Sequence, residues 1–343
     1  MSATRNRLWL TLLFTTALAF HTLGQAQQKR GISLEPTKQS VSNPLGGGVY
    51  RALIIGNQDY ADPSGYWRSL KTPLADARAV QRVLRDSYGF RDVRLLANAT
   101  RRDILLALHD LGKRVQADDN VLVYYAGHGF LEPDTERGYW VPVDAQGTDH
   151  TTFLRNSTIR DELSIVSGRA RHTLLISDSC FSGTLLRGGS RGMPRDAGSE
   201  RYYRQVAAKK SVQILSAGGI EYVDDDYAAS GHSPFTYFLL NTLSNNQRDV
   251  LVTSELAADV TTAVANNVDQ VPQSGVLQGS GDELGEFIFL KLDVQVEGVD
   301  PERVKVQVNV VPAPPKAESE LPQAAEPQSS DTPLRVIAPM PTL

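Results

Sequence analysis

The chain has 343 residues, 41% of them hydrophobic and 22% charged, with a formal net charge of -4 at pH 7. That is the balance of a globular protein with room for one large domain or two small ones. So weakly acidic a chain offers no electrostatic footprint for nucleic acid, and its single cysteine, Cys180, excludes an internal disulfide.

Residues 1–26 open with Arg5 and Arg7, continue as an apolar run over 8–23, and reach the small residues Gly24 and Ala26. This is the three-part pattern of a secretory signal peptide. The run is short for a span of roughly 20 residues, and His21 interrupts it, so cleavage is expected rather than a membrane anchor. No other segment is apolar enough to cross a membrane, and the mature protein is expected to be periplasmic or extracellular. Residues 27–48 are polar and end in NPLGGG, a linker.

A folded domain is expected over residues 49–292. VYRALIIGN reads as a buried strand. TPLADARAVQRVLRDSYG carries Leu74, Ala77, Val80 and Leu84 at helical spacing and stops at Gly89. DVRLLAN is a second strand. TRRDILLALHDLGKRV is a second helix, with Thr100 as N-cap and Asp103 three residues on. NVLVYYAG, HTLLISDS and SVQILSAG are three further strands, with a helix STIRDELSIVSG between the first two. SPFTYFLLNTLSN and TSELAADVTTAVANN are helices, and GEFIFLKL is a last strand. Arg187 to Lys210 is a basic stretch among Gly, Ser and Pro, read as a solvated loop. Residues 293–311 alternate in polarity and fit an edge strand or small appendage. Residues 312–343 are rich in Pro, Ala, Glu, Gln and Ser and are expected to be a disordered tail.

Continuous apolar strands alternating with helices imply an α/β protein with a mostly parallel sheet covered on both faces. In such sheets reactive groups gather beyond the carboxyl ends of the strands. Two ends stand out. VLVYYAGHG delivers His128 between two glycines, and LLISDSCFSG delivers Asp178 and Cys180 ahead of Gly183. A lone His is usually a satisfied structural residue, and a lone Cys usually a small buried hydrophobe. As a pair on one sheet edge they suit nucleophilic catalysis. An imidazole can take the thiol proton, generate the thiolate, and later protonate a leaving amine. Backbone N–H groups of Gly129 and Cys180 are the natural oxyanion donors.

YYAGHG and ISDSCFSG, with ALIIGNQDY upstream, resemble the caspase-like cysteine peptidases, above all their metacaspase-type and bacterial members. The resemblance covers about residues 50–290. It implies the caspase–haemoglobinase fold, a mostly parallel six-stranded sheet flanked by helices, with His128 and Cys180 as the catalytic dyad. ILSAGG and SPFTYFLL match the later strand and helix of the family. The nucleophile segment Ser177-Asp178-Ser179-Cys180-Phe181-Ser182-Gly183 departs from the caspase signature Q-A-C-[RQG]-G. Asp178 precedes the nucleophile by two, and residues two apart on a strand share a face. A carboxylate there suits an Arg or Lys side chain, as in metacaspase-type enzymes, or bonds to backbone as a structural group. The same resemblance maps a second pocket acid onto Asp76 in LKTPLADAR, a position that also fits a solvated first helical turn. Family members carry a Ser two before the histidine, where this chain has Ala126.

The expected activity is therefore endopeptidase cleavage of proteins or peptides after Arg or Lys. Arg187, Arg191, Arg195, Arg201 and Arg204 offer sites for self-processing. The alternative is a caspase-like scaffold that binds peptides without turnover. A metal-dependent hydrolase has little support, since the six histidines form no ligand pair at helical spacing. No cofactor is expected. The acidic run Asp224-Asp225-Asp226 suits closing over a basic substrate or binding calcium, to which some relatives respond; three adjacent Asp do not make a site of six to eight oxygens, and the run is read as a solvated loop.

Overall fold

The computed structural model describes residues 48–180, 182–187, 200–218, 225–277 and 281–292. The readings made for residues 1–47 and 293–343 lie outside this range.

Strand β1 (Tyr50–Gly56) leads into helix α1 (Pro73–Tyr88), β2 (Asp92–Ala97), α2 (Arg101–Arg114) and β3 (Asn120–Ala126). A small antiparallel sheet follows, β4 (Gly129–Glu132), β5 (Arg137–Trp140) and β6 (Leu154–Arg155), then α3 (Asn156–Arg169) and β7 (His172–Asp178). The chain continues through β8 (Leu186–Arg187), α4 (Glu200–Ala208), β9 (Ser211–Ser216), α5 (Pro234–Asn245), β10 (Val250–Val252), α6 (Thr253–Ala265), β11 (Gln273–Leu277) and β12 (Ile288–Leu290).

The main sheet has the order β2-β1-β3-β7-β9-β11-β8. Strands β2, β1, β3, β7 and β9 are parallel, β11 runs antiparallel to β9, and the two-residue β8 lies antiparallel to β11 at the edge. The expected parallel α/β sheet is therefore present. Its sixth long strand is β11, a segment with no strand signal, because QSGVL is short and broken by Gly275. The segment GEFIFLKL instead supplies β12, which pairs with β10 in a separate two-stranded sheet.

Alternation along the central strands divides their side chains between two cores. Ala52 and Ile54 of β1, Leu122 and Tyr124 of β3, and Leu174 and Ile176 of β7 face α1, α5 and α6. Leu53 and Ile55, Val121 and Val123, and Leu175 face α2 and α3. Each such buried aliphatic side chain contributes about 1.5–3 kcal/mol of transfer free energy. Helix α1 buries Ala77, Val80 and Leu84 and stops at Gly89, which takes the left-handed φ of 66° that suits glycine. Helix α2 opens with the expected capping box between Thr100 and Asp103.

One segment differs from its reading. Residues 200–208, expected within a solvated loop, form α4 and carry Arg201 and Arg204. Tyr202, Val206 and Ala207 give this helix an apolar face that packs on Val252 and Ile288. The spacing Tyr202–Val206 is the helical signal that the arginines obscured.

Candidate active site

The order of strands reverses between β1 and β3, and the cleft lies beyond the carboxyl ends of β1, β3 and β7. Among the described residues it is lined by Asp76, Gly127, His128, Asp178, Cys180 and Asp225, together with Leu70, Thr72, Pro73, Ala126, Ser179 and Ser233. The parallel register sets Ala126 opposite Asp178. Two residues beyond each partner come His128 and Cys180, so the pairing that builds the sheet also delivers both to one edge.

Gly129 belongs to the same junction. A Cβ on it would lie 2.0 Å from the carbonyl oxygen of Cys180. Only a glycine lets β4 pass this close behind the backbone of Cys180.

His128 is held from several sides. Its N–H donates to Tyr60 Oη at 2.8 Å, and Tyr125 Oη lies 2.9 Å from its carbonyl oxygen. Its ring packs against Tyr60 and Trp67, with centroids 4.7 and 5.3 Å away. Nε2 is 2.8 Å from the carbonyl oxygen of Arg68. A carbonyl only accepts, so Nε2 carries the hydrogen and neutral His128 has its lone pair on Nδ1. Burial lowers the pKa of His128, opposed by the Arg68 carbonyl and the charge of Asp225. The imidazole is therefore held neutral, the form that accepts a proton. Cys180 itself is half-buried and in no disulfide.

Three carboxylates form the acidic part of the cleft. Asp178, the last residue of β7, is 5% exposed. Its Oδ2 accepts from Ser233 Oγ at 2.5 Å and from Thr236 Oγ1 at 2.6 Å. Burial, then the nearby Asp76, push its pKa up to about 7, against the pull of those two hydroxyls. Asp76, in the first turn of α1, is 1% exposed and receives His232 Nδ1 at 2.6 Å and the Ser233 N–H at 3.3 Å. Burial raises its pKa too, with the His232 contact opposing. Asp225 accepts the N–H groups of Lys71 and Thr72 just ahead of α1. Among the described residues, His232 is the one basic side chain paired with any of the three.

The four side chains singled out from the sequence, His128, Cys180, Asp76 and Asp178, thus line one cleft. Asp76 is not a solvated helix position but is 1% exposed, and Asp225 is half-buried and lines the same cleft. Sequence reasoning missed Arg68, Tyr60, Asp225, His232, Ser233 and Thr236. Only Asp225 carried a signal, the acidic run, and that run was read as solvated. The Arg68 contribution is a backbone carbonyl, which no residue type announces. Of the proposed self-processing arginines, Arg191 and Arg195 lie outside the described residues.

A half-buried cysteine and histidine on one edge of an acidic cleft, on a mostly parallel α/β sheet, is the arrangement of the caspase-like class. The caspase-domain family model matches residues 50–277, and the chain belongs to that family of cysteine peptidases. It is similar to metacaspase-1B of Aspergillus oryzae, 25% identical over 236 residues, covering 62% of this chain and 52% of that protein. It is also similar to metacaspase-1 of Cryptococcus neoformans, strain JEC21, 31% identical over 158 residues, covering 40% of this chain and 33% of that one. The chain spans about half or less of the length of these relatives. Among solved structures, caspase-1 of Spodoptera frugiperda aligns at 16% identity with a TM-score of 0.47, over 68% of this chain and 88% of that one.

Proposed function

We propose that this chain is an exported endopeptidase that cleaves after Arg or Lys through a thioester on Cys180. His128 Nδ1 takes the Sγ proton while Nε2–H stays on the Arg68 carbonyl. The thiolate adds to the scissile carbonyl carbon, and the N–H groups of Gly129 and Cys180 receive the oxyanion. His128 returns the proton to the leaving amine as the C–N bond breaks. Water, deprotonated by the same imidazole, then adds to the thioester; collapse of that intermediate expels Sγ, which recovers the proton.

The observation that carries the substrate reading is the set Asp76, Asp178 and Asp225, converging on the cleft that holds His128 and Cys180. A guanidinium or ammonium would satisfy them by charge-assisted hydrogen bonds. The deciding assay is hydrolysis of fluorogenic peptides ending in Arg, Lys or Asp, by wild type and Cys180→Ala, with and without calcium. Cleavage after Arg or Lys, lost in Cys180→Ala, is expected. Preference for Asp would remove the pocket assignment, and binding without hydrolysis would favour the scaffold reading. Self-processing in the arginine-rich segment predicts new N-termini after active-enzyme incubation, read by mass spectrometry. The same method on protein from the periplasm or medium tests removal of the leader.

A further inference from the structure

One carboxylate of the acidic cleft is already paired with a group from its own chain. His232 Nδ1 sits 2.6 Å from Asp76 Oδ1, while the other oxygen of Asp76 takes the Ser233 N–H. The carboxylate is 1% exposed, whereas the imidazole keeps a quarter of its surface in solvent. One partner is fixed and the other can leave. The cavity beside Asp76 and Asp178 is about 40 Å³, room for a few water molecules.

The segment that carries His232 contains strained backbone. Ala228 and Ala229 both have left-handed backbone, with φ of 48° and 56°. Two successive non-glycine residues in that region store conformational strain. The turn is closed by Tyr227 N–H to His232 O at 2.8 Å and by Ser230 N–H to Tyr227 O at 2.7 Å. At one end Asp225 grips the N–H groups of Lys71 and Thr72, and at the other His232 grips Asp76. Releasing the imidazole frees the strained end while the Asp225 anchor stays.

We propose that His232 is a specificity-determining residue: the resident hydrogen-bond partner of Asp76, which the guanidinium or ammonium of the substrate replaces. This rests on the basic-side-chain reading of the cleft. It makes occupancy a competition between two nitrogen donors for one buried carboxylate. The groups facing His232 are Asp76 from α1, Asp178 reached through Ser233, Asp225, and Asp226, whose Oδ1 accepts the Gly231 N–H. All are acidic, so a basic substrate group and the His232 imidazole compete within one field of negative charge.

The test uses the full chain with Cys180→Ala, so that no turnover intervenes, and agmatine as a guanidinium probe in calorimetry at about pH 7.5. Adding His232→Gln keeps a neutral donor for Asp76, and adding His232→Ala removes any occupant. Both are expected to bind agmatine about fivefold more tightly than the parent. In the Cys180-containing enzyme the same substitutions should lower KM for an Arg-ended peptide and leave kcat within about twofold. Equal or weaker agmatine binding in both variants, with unchanged melting temperature, would overturn the role of His232 and leave the basic pocket standing. Weaker binding in His232→Ala with unchanged binding in His232→Gln would mark a purely structural support, which also overturns it. Absence of agmatine binding in every variant would overturn the pocket reading itself.

Discussion

Asp178 is where stability and function oppose each other. As a buried acid with a raised pKa, it binds a proton in the folded state over a window where the unfolded chain has already lost it. Folding stability therefore falls as pH rises from about 4 to about 7, and the cost is fully present above that. Asparagine would keep an acceptor for Ser233 and Thr236 without the charge. Asp178→Asn is expected to raise the melting temperature at pH 8 by a few degrees, from a gain of about 1–2 kcal/mol. It should also raise KM for Arg-ended peptides about tenfold or more. A lower melting temperature would show that the ionised carboxylate is a net stabiliser. The same residue shapes the pH profile. kcat/KM for Arg-ended peptides should fall as pH drops below about 7, as Asp178 gains its proton. For a poorer peptide with an uncharged side chain in that position, the fall should wait for protonation of His128, whose pKa is depressed by burial. Coincident profiles for the two substrates would exclude Asp178 from substrate binding.

At the scale of elements, the active edge depends on how closely β4 passes behind Cys180. A methyl group on Gly129 would meet backbone atoms of Cys180 at 2.0, 3.0 and 3.2 Å, and backbone cannot rotate aside. Gly129→Ala is therefore expected to displace the nucleophile and lower kcat/KM about 100-fold or more. A melting temperature drop should accompany it, and wild-type activity in this variant would refute the close packing. Helix α5 holds the acids from the other side. Its N-cap Ser233 accepts the Thr236 N–H and donates to Asp178, and its own N–H donates to Asp76. One capping residue thus joins a helix start to both carboxylates. The motif SPFTYFLL was legible as a helix with its cap, but its hold on the two acids was not, since they lie 157 and 55 positions away.

For the whole molecule, both cores and the entire described cleft fall within residues 48–292. A fragment of residues 44–292 is expected to unfold cooperatively and to keep kcat/KM within about twofold of the full chain. A fragment that fails to fold would show that the terminal segments contribute to the core. The continuous apolar runs of β1, β3 and β7 and the helical spacing of α1 and α2 determined the sheet class by themselves, and the glycine-flanked His128 with Cys180 at a second strand end were legible as a candidate pair. Those signals are local, set by backbone geometry over a few residues. The sequence did not reveal β11 or the place of β12, because strand pairing is decided by partners far along the chain. Nor did it reveal that Arg68 would present a carbonyl to His128, that Asp225 would turn inward, or that His232 would sit on Asp76. Those contacts exist only once the parallel register brings distant segments to one edge, where burial and charge, rather than residue type, set what each group can do.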